Sequence, residues 1–223
     1  MAIGKTKYLP MRFHGLESEV ESLRNYVLTM EAAIRREQKG LDKYAEEQKQ
    51  KLDDAQYAEF LEFEFDRFRE LHDHIPRLMR ESTFVVTMSF LENDLVGLCR
   101  VIKRQKHLHA GFQKLKGKTS LESVRDYIFT QTGIDIGVRR YWKTLDTLNT
   151  IRNSIVHSAG HLSHKKDQVK NYARRNSKVL GISGRRKFPR NRVELREEFL
   201  QHTLNVLAKY SKEAYKRLMT LGI

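Results

Sequence analysis

The chain has one cysteine, three prolines and fewer acidic than basic residues. A lone Cys99 excludes an intrachain disulfide framework and any metal centre built on several thiolates, and it suits a reducing compartment. Prolines at Pro10, Pro76 and Pro189 leave long stretches free to form helices. No apolar run approaches the ~18–20 residues that a bilayer-spanning helix needs, and the amino terminus lacks the apolar core of a signal peptide. A cytoplasmic protein with no membrane partner is expected. The glycine-rich phosphate loop, the G-x-S-x-G elbow and the H-E-x-x-H helix are also missing. Nucleoside triphosphatase, serine hydrolase and zinc protease chemistry therefore lose their signatures.

What is abundant is positive charge. Lys and Arg number 42 against 28 for Asp and Glu, giving a net charge of +14 over 223 residues. This footprint suits a polyanion. The excess is uneven: residues 1–75 carry −4, 76–157 carry +7, 158–192 carry +10 and 193–223 carry +1. In the third segment Lys165, Lys166, Lys170, Arg174, Arg175, Arg185, Arg186 and Lys187 lie among Tyr172 and Phe188. Arginine and aromatic side chains together can hold a nucleic-acid backbone and stack on unpaired bases, so this segment reads as an RNA-facing flap. Phosphate contacts of this kind confer affinity and little base specificity. A solvated loop is the bland alternative.

Apolar spacing of three and four residues predicts an all-α fold. Leu16, Val20, Leu23, Val27, Met30 and Ile34 form one stripe, the start of a long helix or helical hairpin. Tyr57, Phe60, Leu61, Phe63, Phe65, Phe68, Leu71 and Ile75 make a dense apolar segment that reads as core and is expected to end at Pro76. Leu78, Phe84, Val85, Met88, Leu91, Leu95, Leu98 and Ile102 predict a central core helix over 77–105. Thr119 and Glu122 have capping-box spacing at the head of a short helix. Further helices are expected over 138–158 and 193–221, with a short strand over 179–182.

On the helix from Val138, each residue turns about 100°. Tyr141, Leu145, Leu148, Ile151 and Ile155 then share an apolar face, whereas Asn153 and His157 fall one turn apart on the opposite side. Arg152 sits at the edge of the apolar stripe, where it must snorkel outward or meet a carboxylate. Glu92 and Asp94 are the candidate supporting partners. His157, His161 and His164 have a spacing that could aim three imidazoles at one metal, but Gly160 argues against an unbroken helix there, and no metal site or cofactor is expected.

Arg152-Asn153-Ser154-Ile155-Val156-His157 on a late helix of a basic helical protein resembles the HEPN superfamily (higher eukaryotes and prokaryotes nucleotide-binding). Its signature is Arg, four to six residues, then His, often with a polar residue straight after the Arg. The stretch Ser89-Phe90-Leu91-Glu92-Asn93-Asp94-Leu95 is similar to the family's earlier polar helix. The resemblance covers roughly 77–221. It implies a HEPN-like helical domain over 76–223, with a basic insertion at 158–192 and a helical extension at 1–75. The implied activity is a metal-independent endoribonuclease working as a homodimer. Arg152, Asn153 and His157 would be its catalytic residues, and 2′,3′-cyclic phosphate and 5′-hydroxyl ends its products. A toxin or phage-defence role, with a cognate antitoxin or nucleotidyltransferase as partner, is implied in the same way. The chemistry agrees: cleavage without metal needs a base and an acid near neutral pH and positive charge on the phosphorane, and His and Arg supply these. The alternative is a non-catalytic helical protein that binds nucleic acid or nucleotide.

Overall fold

The computed structural model describes residues 8–113, 115–116, 118–162, 166–185 and 188–220. The first helix, α1 (Tyr8–Lys49), is 42 residues and so about 60 Å long. It buries Leu9, Leu16, Val20, Val27 and Ile34 in the same core as the later helices, and Leu41 and Ala45 farther along. A capping box starts α2 (Asp54–Arg69): Asp53 Oδ1 accepts from the Ala55 and Gln56 amides at 3.0 and 2.9 Å, and the Asp53 amide donates to Gln56 Oε1 at 3.2 Å.

The aromatic segment expected as core is not core, because α2 buries none of its residues. Phe63 is 85% exposed, and of the segment's aromatic residues Tyr57, Phe60 and Phe68 are half-covered. Apolar side chains occupy more of the α2 circumference than α1 alone can cover. Pro76 does not end the helix either. A π turn at Glu70–His74 leads directly into α3 (Ile75–Gln105), with Pro76 in its first turn. Proline lacks an N–H and its ring crowds the carbonyl four residues back, and the wider π turn absorbs both defects. The boundary expected at residue 75 therefore falls inside a continuous helical run.

Helix α3 is the centre of the molecule. Phe84, Leu91, Leu95, Leu98 and Ile102 are at most 2% exposed, and the helix packs on α1, on α4 (Ser120–Thr132), on α5 (Arg139–Ser158) and on α7 (Phe199–Met219). The Thr119–Glu122 capping box forms as expected. Edge-on contact between Phe84 and Phe199, with centroids 4.9 Å apart, joins α3 to α7.

The basic insertion is more ordered than a loop. It contains α6 (Lys166–Arg175) and β1 (Leu180–Arg185) and runs into β2 (Phe188–Leu195), which pairs with β1 as an antiparallel hairpin. The last helix accordingly begins at Phe199 rather than Val193. Val193 and Leu195 point inward with a strand's period of two and pair with Ile182 and Leu180. Apart from this hairpin the described chain is all-α. No described helix is long and apolar enough to cross a membrane.

Candidate nucleic-acid site on α5

Leu145, Leu148 and Ile151 are fully buried on α5, and Thr147 and Ser154 are buried beside them. On the other side, Asn153 is half-exposed and His157 is exposed, with no intramolecular hydrogen bond or ion pair for His157 among the described residues. The expected separation of this pair from the core is thus present in the geometry. The helix stops at Ser158: Ala159 and Gly160 take φ of 47° and 83°, and the Gly160 amide donates to Ser154 O at 2.8 Å. This left-handed exit favours glycine and takes His161 off the helix that carries His157. His164 lies outside the described residues. Among the described residues, no group of three or more His, Cys, Asp or Glu side chains is arranged to hold a metal ion.

Arg152 does not meet the expected carboxylates. Its Nη1 donates to Asn153 Oδ1 at 2.9 Å, while its Nε is buried without a hydrogen-bond partner. The first contact draws the guanidinium around the helix toward the side bearing His157. The second leaves a buried cationic donor unused, which costs on the order of 1–3 kcal/mol unless a ligand accepts from it.

Asp94 has other partners. Arg12 Nε on α1 lies 3.0 Å from Asp94 Oδ1, and Arg12 Nη2 donates to the Asp94 carbonyl at 2.9 Å. The Tyr215 hydroxyl on α7 reaches both carboxylate oxygens at 3.0 and 3.1 Å. The guanidinium of Arg12 lies so close over Gly97 that a Cβ there would sit 1.9 Å from Nη2. Asp94 thus ties three helices together and does not support Arg152. Burial pushes its carboxyl above the usual range, opposed by Arg12 and by the Tyr215 hydrogen bond. Glu92 is half-exposed and makes no hydrogen bond or ion pair among the described residues. Sequence reasoning missed Arg12 because the partner lies 82 residues away, and no local pattern marks such a pairing.

The basic insertion is attached to the helix that carries the motif. Gln168 Nε2 on α6 donates to Asp146 Oδ2 and Thr147 Oγ1 of α5, both at 2.9 Å. Behind the α5 exit, the Leu162 amide donates to Asn191 O at 2.9 Å and the Val193 amide to Gly160 O at 3.0 Å, joining that segment to β2. Val169 and Ala173 are the buried face of α6. Lys166, Lys170 and Arg174, spaced by four, run along its outer side, with Lys170 half-exposed and the other two exposed; Arg175 is exposed as well. Lys165, Arg186 and Lys187 lie outside the described residues, as does the side chain of Arg185. Tyr172 is not free to stack on a base. Its hydroxyl is 2.7 Å from His202 Nε2 of α7, and burial pushes its pKa up to about 12.

Comparison with protein-family models, with curated proteins and with solved structures finds no match. The resemblance therefore rests on the short motif and on the helical context around it.

Proposed function

We propose that this protein is a metal-independent endoribonuclease of the HEPN type, acting as a homodimer. The observation that carries the reading is the α5 surface: an exposed His157, Asn153 one turn before it, and an Arg152 guanidinium held by Asn153 with a buried N–H left unused. In the proposed reaction His157 of one protomer takes the proton of the 2′-hydroxyl. The 2′-oxygen then forms its bond to phosphorus, and the bond from phosphorus to the 5′-oxygen breaks. His157 of the second protomer gives a proton to that leaving oxygen, while Arg152 neutralises charge on the phosphorane. Atoms balance with a 2′,3′-cyclic phosphate and a 5′-hydroxyl as products. A role as toxin or phage-defence effector, with a restraining antitoxin or nucleotidyltransferase, belongs to the same proposal and falls with it if no cleavage occurs.

The test is incubation of total RNA in EDTA with the wild type, with His157→Ala and with Arg152→Ala, followed by end-group analysis. Wild-type cleavage leaving cyclic phosphates should fall by about 10²–10⁴-fold in His157→Ala. Mixing His157→Ala into the wild type should lower the activity per wild-type chain, because a mixed dimer keeps one His157 where the proposed reaction uses two. Equal cleavage by wild type and His157→Ala would sink the assignment. RNA binding without cleavage would favour the second reading, a non-catalytic RNA-binding protein. The lysine and arginine stripe of α6 favours that reading independently, because it can hold phosphates without His157.

A further inference from the structure

Between Asp94 and Glu122 the sequence contains no acidic residue and seven basic ones: Arg100, Lys103, Arg104, Lys106, Lys114, Lys116 and Lys118. The whole excess of the second charge segment therefore lies at the carboxyl end of α3 and in the connection to α4, on elements distinct from the basic insertion. We propose that this surface is a second RNA-backbone contact site. The inference takes RNA as the partner from the preceding section and does not depend on cleavage.

Arg100, Arg104 and Lys116 are exposed and make no ion pair or hydrogen bond among the described residues. Lys118 pairs with Asp126, and Lys106 donates to the Gln131 carbonyl. Cations in the last helical turn compensate the carbonyl end of a helix, which accounts for Lys103 and Arg104. It does not account for Arg100 one turn earlier or for Lys116 beyond the helix.

The connection itself is anchored. The helix closes through His107 in a left-handed conformation, with the Leu108 amide donating to Lys103 O at 3.0 Å. The Leu115 amide donates to Ser123 Oγ at 3.0 Å, and Phe112 packs edge-on against Tyr127 of α4 with centroids 6.1 Å apart. These contacts hold the described backbone next to Arg104 and Lys116 before any ligand arrives, so less ordering cost falls on binding. Exposed His107 and His109 add donors beside them. A nucleic-acid backbone suits this surface better than a lipid surface. Phe112 packs against the core rather than projecting outward, which leaves Leu115, 44% exposed, and the half-exposed Leu108 as the large apolar side chains of that connection offered to a bilayer.

The experiment measures binding of a single-stranded RNA to the cleavage-deficient His157→Ala protein between 50 and 200 mM salt. It compares that background with the same protein carrying Arg100→Glu, Arg104→Glu and Lys116→Glu, and with one carrying Lys166→Glu, Lys170→Glu and Arg174→Glu. Each neutralised phosphate contact on a single strand contributes about 0.7 to the slope of log affinity against log salt. Loss of three contacts should flatten the slope by about 2 and shrink the salt-induced loss of affinity over that range by about twentyfold. Phosphatidylserine vesicles serve as the competing ligand. All six positions are exposed or half-exposed, and circular dichroism checks that each variant folds. RNA binding with an unchanged slope in the α3 variant would overturn this inference while leaving RNA as the partner. Binding to vesicles and not to RNA would overturn it too, in favour of a membrane surface. Absence of RNA binding by the His157→Ala background would overturn the reading on which it rests.

Discussion

Asp94 is 7% exposed and shared by Arg12 and Tyr215. Its raised pKa gives stability a definite sign. The native state holds the proton to a higher pH than the unfolded chain, so the contribution is fully present below the unfolded pKa and is lost as pH rises through the folded one. Asp94→Asn keeps the shape and removes the titration. Urea midpoints measured from pH 3 to 7 should therefore show the wild type losing stability relative to Asp94→Asn as pH rises, then levelling. Parallel curves would contradict the assignment. Burial acts on Cys99 in the same direction: fully buried, with its thiol pushed up to about 12, it stays protonated near neutral pH and offers no nucleophile. His157 differs from both, because it sits on the exposed side of its helix with no partner among the described residues. That position follows from the angle between His157 and the apolar stripe of α5 and was legible in the sequence. The bond between Arg152 and Asn153 was not, since spacing places a side chain on a face but does not choose among the acceptors there.

Helix α2 shows where composition misleads about an element. Its aromatic density matches that of a core helix, yet among the described residues the fold leaves every one of its side chains unburied. Burial needs a second surface, and α1 covers only part of the stripe through contacts such as Tyr44 with Phe60, 5.5 Å between centroids. The consequence is measurable. Phe63→Ser should change unfolding free energy by less than about 0.5 kcal/mol, because Phe63 is 85% exposed. Phe84→Ala should cost about 3–5 kcal/mol, because Phe84 is fully buried against Phe199. Comparable losses at the two positions in urea titrations would show that α2 is buried after all. The basic hairpin is the converse case. Its inward residues, Leu180, Val193 and Leu195, are too few and too interrupted by charge for a strand pair to stand out in sequence, and the pairing of β1 with β2 makes the period of two decisive.

For the whole molecule, a net charge of +14 acts on its two proposed associations with opposite sign. Two copies repel, so salt should screen the repulsion and tighten the homodimer. RNA attracts, so the same salt should weaken binding. Light scattering and RNA titration over one salt series test both trends, and a dimer that dissociates as salt rises would mean that opposite charges, not apolar contact, hold it. Helix content, the central place of the 77–105 segment and the concentration of positive charge were all decided by local spacing and composition, because helical periodicity and charge counts need only neighbours in the chain. The exposure of α2, the passage of the helix through Pro76, the hairpin within the basic insertion and the pairing of Asp94 with Arg12 were decided only by tertiary structure. Each depends on which surfaces and charges distant in sequence come together, and no single segment contains that information.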